Sequence, residues 1–178
     1  MLSIYPAPRP LASPLPDVER WCVLHTRARS EKVVARVLEE QRVPFFLPLL
    51  RKRNVGHRQV RIFEVPLFAG YVFSDASALN LRPVRRSFHV TQILEPDDPE
   101  ELRRDLSNLA LALQYDDSLT VFRYSKPGRP VCVVRSALKG LQGEMVRIKS
   151  QTRLIIRVHF LSQAASLEID ESLVEPEL

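Results

Sequence analysis

Only two stretches of this 178-residue chain carry a helical pattern, and both lie before residue 116. "EKVVARVLEEQ" (31–41) puts Val33, Val34, Val37 and Leu38 on one face, with Arg36, Glu39 and Glu40 opposite; "DDPEELRRDLSNLALAL" (97–113) repeats leucine at 102, 106, 109 and 113. From Leu119 onward there are only short β-rich runs, "PVCVVR", "GEMVRIK", "RLIIRVHF" and "SLEID". The chain must therefore divide into a part that packs helices on strands and a part built from strands alone.

In the first part, "WCVLHTR" (21–27) reads as a strand, and Ser30 offers an N-cap to the helix that follows. That helix must end before Pro44, because the residue ahead of a proline is pushed out of helical space. "FFLPLLRKR" and "RQVRIFEVPLF" read as strands around a turn at 54–57, where Gly56 permits positive φ; "GYVFSD" and "SFHVTQIL" are further strands. The second helix has strong start signals in Asp98 as cap, Pro99 at the first position and Glu101 three residues after the cap. The expected class is α+β, an antiparallel sheet with flanking helices, followed by a small all-β barrel. Five prolines in "MLSIYPAPRPLASPLPD" predict an extended tail. The expected boundaries are a tail at 1–18, a first domain at 19–115, a linker at 116–127 and a second domain at 128–178.

Several function classes drop out. No apolar run nears the roughly 20 residues of a membrane span, and the N-terminus lacks the order of a signal peptide, so a cytoplasmic monomer with no membrane partner is expected. Cys22 and Cys132 have no metal or redox spacing and read as core thiols. His25, His57, His89 and His159 are scattered, and no nucleophile elbow or phosphate-cradling glycine loop occurs. Asp97, Asp98, Glu100 and Glu101 are explained by helix capping and the macrodipole. The reading is of a binding protein with no catalytic site, metal or cofactor.

Charge is segregated. Lys and Arg number 14 against 7 acids over 19–96, and 2 against 7 over 97–118, so the cationic surface belongs to the first part. "RKRNVGHRQVR" (51–61) holds Arg51, Lys52, Arg53, Arg58 and Arg61 with no acid. At that density cations line a phosphate backbone or, more blandly, protect a solvated hairpin edge. Arg27, Arg29 and Lys32 form a second basic group; Arg82, Arg85 and Arg86 form a third.

Between these groups lies "PLFAGYVF" (66–73). On pattern alone an aromatic strand is more often core than interface. Tyr71 and Phe73 point to one face and Val72 to the other, while Phe68 lies beyond the Ala69–Gly70 kink.

"VVRSALKGLQGEMVRIK" (133–149) resembles a KOW motif, with Gly140 and Gly143 where glycines tolerant of positive φ are wanted. "WCVLHTRARSEKVVARVL", "FFLP" and "PLFAGYVF" resemble, in order and spacing, the N-terminal NGN domain of NusG proteins, and the tail from Leu154 resembles their C-terminal domain. Ala69 stands where the family usually has proline, and Ala137–Leu138 follow Ser136 where it often has Gly-Pro; these departures resemble the specialised RfaH-like and UpxY-like antiterminators.

The resemblance implies an NGN-like domain plus an SH3-like KOW barrel. It implies a transcription elongation or antitermination factor that docks on the RNA polymerase clamp through Phe46, Pro48, Phe68, Tyr71 and Phe73. It implies non-template or upstream DNA near Arg27, Arg29, Lys32, Arg51, Lys52, Arg53, Arg58, Arg61, Arg85 and Arg86. In the barrel, Lys139, Gly140 and Gly143 would form the turn, and Phe160 and Leu161 would contact Rho or a small-subunit ribosomal protein. The β-branched "RLIIRVHF" predicts a stable barrel rather than a helical hairpin. The alternative is a KOW-type RNA-binding protein of ribosome assembly or translation, which leaves the aromatic segment unexplained.

Overall fold

The structure, a computed structural model, describes residues 15–55, 60–78, 84, 88–115, 119–122, 127–148 and 150–177. Its first half runs β1 (Trp21–Thr26), α1 (Glu31–Glu40), β2 (Phe45–Phe46), β3 (Leu49–Val55), β4 (Val60–Pro66), β5 (Tyr71–Asp75), β6 (Val90–Leu94) and α2 (Pro99–Tyr115). The second half runs β7 (Thr120–Phe122), β8 (Arg129–Val133), β9 (Gln142–Ile148), β10 (Gln151–Val158), the 3₁₀ turn η1 (His159–Leu161), β11 (Gln163–Glu168), the 3₁₀ turn η2 (Glu171–Leu173) and β12 (Val174–Pro176). Gly56, expected in the turn at 54–57, lies outside the described residues, as do residues 57–59. Among the described residues no helix is long and apolar enough to cross a membrane.

The first sheet is antiparallel in the order β2-β5-β1-β6. The period-2 alternation of β1 gives it two buried faces. Cys22 and Leu24 cluster with Val34 and Leu38 of α1 and with Val72. Trp21 and Val23 cluster with Phe73 and the leucines of α2. Burial of the Cys22 thiol, reinforced by nearby carboxylates, pushes its pKa to about 12, which keeps it an inert core group.

Both helices form where expected, with two differences in detail. Glu101 N–H donates to Asp98 Oδ1 at 2.9 Å, the cap that the sequence predicts for α2. Ser30 occupies the cap position of α1, yet its hydroxyl makes no cap bond and pairs with His89 Nδ1 at 3.1 Å. The stripe that α1 buries is Glu31, Val34, Ala35 and Leu38, while Val33 is exposed. Val33 sits about 100° around the helix from Val34, and the sheet lies under the latter.

The second half is an antiparallel sheet of six strands, β12-β8-β9-β10-β11-β7. Among the described residues no pairing joins the edge strands β12 and β7, so the sheet is open where a closed barrel was expected. Each edge strand is only three residues long. Strand β7 falls in the segment expected to be linker, and pairs with β11 through Thr120–Phe122. Val18, at the end of the expected tail, is 2% exposed and joins the core.

Helix α2 touches both halves, packing on β1, β10 and η1. Its leucines share one apolar cluster with Trp21, Val23 and Phe73 and with Leu154, Ile156 and Val158. Strands β3 and β4 form a separate two-stranded ribbon that leaves the first sheet at its base.

Candidate functional site

The site is built around the turn at Phe68–Tyr71. Tyr71 N–H donates to Phe68 O at 3.4 Å, and Gly70 at the third position has φ +88°. A positive φ there is the signature of a type II turn, whose second position suits proline. Two neighbours fix this turn: Thr26 N–H donates to Gly70 O at 2.8 Å, and Gly70 N–H donates to Glu31 Oε1 at 2.6 Å. Glu31, only 5% exposed, therefore spends its carboxylate on orienting the turn. Sequence reasoning missed this role, because an acid in the first turn of a helix is already explained by the macrodipole.

Ala69 is exposed at the proline-favoured position. Ala69→Pro is expected to stabilise the fold by about 0.4–1 kcal/mol, because proline restricts the unfolded chain and fits this turn. Thermal denaturation would register this as a rise of about 2 °C in Tm; a fall would show that the turn is not type II.

A groove of about 660 Å³ opens beside the turn, lined by His25, Arg29, Glu31, Lys32, Glu64 and Ala69 among others. Lys32 Nζ donates to Glu64 O across it at 2.8 Å, tying α1 to the base of the ribbon. His25 tilts against Tyr71, with ring centroids 5.2 Å apart, and its Nδ1 lies 3.0 Å from Thr91 Oγ1.

The five residues expected to dock a partner are not equally accessible. Phe46, Pro48, Phe68 and Phe73 are buried, and Tyr71 alone is half-exposed. Phe46 and Phe73 face one another with centroids 6.3 Å apart, in the cluster that holds the α2 leucines. Val72 and Phe73 do point to opposite faces, but the expectation that Phe73 docks a partner misses that both sides of β5 are covered, one by α1 and the other by α2.

The cations divide similarly. Arg27, Arg29, Lys32, Lys52 and Arg61 are exposed, while Arg51 is half-buried with Nε 3.9 Å from Glu64 Oε1. Arg58, Arg85 and Arg86 lie outside the described residues, as does the side chain of Arg53. Two exposed aromatics accompany the cations. Phe63 stands opposite Lys52 on the ribbon and is 44% exposed, and Phe88, just before β6, is 75% exposed with φ +53°. Sequence reasoning missed both, because each looks like an ordinary strand residue. Their positions close to arginines, Arg61 beside Phe63 and Arg85 and Arg86 before Phe88, were the available signal.

In the second half, Gly140 has φ +91° in the turn beside exposed Lys139. Gly143 serves a different need, since a Cβ there would lie 2.5 Å from Ile155 O. Phe160 and Leu161, on η1, are half-buried against the shared core. Next to them, Asp105 of α2 accepts from His159 N–H at 2.8 Å and contacts His159 Nδ1 at 3.1 Å. Burial pushes the Asp105 carboxyl above its ordinary range, partly offset by these bonds to His159. Gln142 N–H donates to Asn108 Oδ1 at 3.2 Å along the same seam. Glu144 accepts both arms of Arg157 and the Gly128 N–H, and the Arg157 bonds hold its carboxyl below the usual range.

The family described as "Transcription termination factor nusG" matches residues 19–109, the span that holds the turn, the groove and most of α2. Among solved structures, Thermotoga maritima NusG is 20% identical, covering 88% of this chain and 96% of that one with a TM-score of 0.44. The MjSpt4:Spt5 complex, conformation B, is 14% identical over 88% of this chain and 95% of that one, with a TM-score of 0.28. No curated protein matches the sequence. The match over residues 19–109 takes in more than half of the chain, from β1 to within α2; the chain belongs to the NusG family of transcription factors.

Proposed function

We propose that this chain is an elongation factor of the antiterminator kind, which holds the clamp of RNA polymerase through the Phe68–Tyr71 turn and suppresses pausing or termination. The family match over residues 19–109, a span that includes this turn, is the observation that carries the reading. Tyr71 is the anchor, because it alone of the five aromatic and proline candidates reaches solvent in this arrangement. Phe46, Pro48, Phe68 and Phe73 support it from beneath, and contribute directly only if the core beside α2 opens. Arg27, Arg29, Lys32, Lys52 and Arg61 face the non-template or upstream DNA that such docking brings near.

The second half, an open six-stranded sheet, acts as a KOW-type domain that recruits a further machine, Rho or a small-subunit ribosomal protein, through Phe160 and Leu161. Both side chains pack toward α2, so full contact with a partner requires η1 to leave the helix. The departures at Ala69 and Ala137 support a specialised paralogue.

Pull-down with core RNA polymerase tests the docking. Tyr71→Ala is expected to weaken binding about 30-fold, the loss of one aromatic anchor worth about 2 kcal/mol. Equal binding by the wild type and the variant would sink the proposed patch. Salt-sensitive binding to ribosomal RNA without affinity for polymerase would favour the RNA-binding alternative.

A further inference from the structure

The central peptide of the Phe68–Tyr71 turn joins Ala69 C=O to Gly70 N–H. In a type II turn that peptide is rotated by roughly 180° from its direction in type I, while the chain enters and leaves in much the same way. Glycine at the third position tolerates either sign of φ, so Gly70 does not make the choice. Its φ of +88° shows that the choice has been made, in favour of type II.

Glu31 makes it. Gly70 N–H donates to Glu31 Oε1 at 2.6 Å, and Glu31 is 5% exposed. A flip to type I would turn the Ala69 carbonyl toward this buried carboxylate and take away its donor, which carries the full cost of a buried polar group left unpaired. The other bonds to the segment are between backbone groups. Thr26 N–H donates to Gly70 O and Leu67 N–H to Pro48 O, both at 2.8 Å, and neither involves the central peptide. Tyr71 N–H donates to Phe68 O at 3.4 Å, a bond that both turn types make. These bonds fix where the turn lies, and Glu31 fixes which way its central peptide faces.

The opposite end of that peptide is open. N–H and C=O point in opposite directions across a trans peptide, so Ala69 O is directed away from Glu31 and α1. Ala69 is exposed, and its carbonyl accepts no hydrogen bond among the described residues. An acid in the first turn of a helix also favours the helix through the macrodipole. That role needs neither burial nor a bond to Gly70.

We propose that Glu31 is a positioning residue for docking: by holding the central peptide in one orientation, it sets the Ala69 carbonyl outward as an acceptor for a hydrogen-bond donor on the docking partner. This rests on the reading of the turn as the polymerase-docking element, and adds a polar contact two residues from the Tyr71 anchor.

Binding of the full chain to core RNA polymerase, together with amide hydrogen exchange at Gly70 in the free protein, tests this. Glu31→Ala is expected to weaken binding about tenfold and to speed Gly70 exchange by a similar factor, the loss of one hydrogen bond to a buried acceptor. Glu31→Gln, whose amide oxygen accepts the same bond without the charge, should recover most of both losses. Ala69→Pro placed in the Glu31→Ala chain should bring binding back to within about threefold of the wild type, because the ring pre-sets the turn without touching Gly70 N–H.

Unchanged binding or unchanged Gly70 exchange in Glu31→Ala overturns the positioning role. A loss that Glu31→Gln shares in full overturns it by assigning the effect to the charge. A loss that Ala69→Pro leaves in place overturns it by showing that Glu31 acts elsewhere than through the turn. Each of these outcomes leaves wild-type docking intact; a wild type that does not bind polymerase overturns the docking reading, and the positioning role with it.

Discussion

Leu106→Ala is expected to destabilise the protein by about 3–4 kcal/mol, within the range for a fully buried leucine truncated to alanine. Leu106 is 0% exposed, in the cluster that takes in Trp21, Val23 and Phe73 from the first sheet and Leu154, Ile156 and Val158 from the second. Neither sheet can readily collapse into the cavity, because α2 is held from both sides. Trp21, the one tryptophan of the chain and 2% exposed, reports the outcome. Its fluorescence should shift to a lower denaturant midpoint, and Tm should fall by about 10 °C. A loss below about 1 kcal/mol would mean that α2 repacks freely, and the shared core would then be only loosely joined.

The same helix marks the boundary of what the sequence discloses. The leucines at 102, 106, 109 and 113 are a period-3.6 signal, and Asp98, Pro99 and Glu101 identify the start by known chemistry. One residue before this stripe runs another, Glu101, Asp105 and Asn108, two of which bond to the second half. Polar residues at those positions read as solvent-facing, because periodicity reports hydrophobicity and is blind to a hydrogen-bonding partner 34 or 54 residues away. That blindness explains the other misses. Ser30 is a competent cap, yet His89 outcompetes the helix for its hydroxyl. Thr120–Phe122 is too short to read as a strand until β11 pairs with it. Phe73 looks available as an interface side chain until α2 returns to cover its face. By contrast, the kink at Gly70 is legible, since a left-handed turn residue needs no partner to reveal it.

Glycine also separates two physical demands that one motif conceals. Gly143→Ala is expected to cost about 3 kcal/mol, at the upper end for an overpacked interior. The new Cβ would meet Ile155 O at 2.5 Å and Leu154 Cδ1 at 3.1 Å. The leucine side chain can give way, but Ile155 is paired with Glu144 on one side and Ser166 on the other, so its carbonyl has little room to retreat. Gly140→Ala meets nothing within 4 Å, and its only cost is the left-handed backbone at φ +91°, about 1–2 kcal/mol. Paired thermal melts should therefore rank the two variants with Gly143→Ala the less stable by several degrees. The reverse order would show that β9 and β10 can separate at this crossing, and that the turn at Gly140 governs the second sheet.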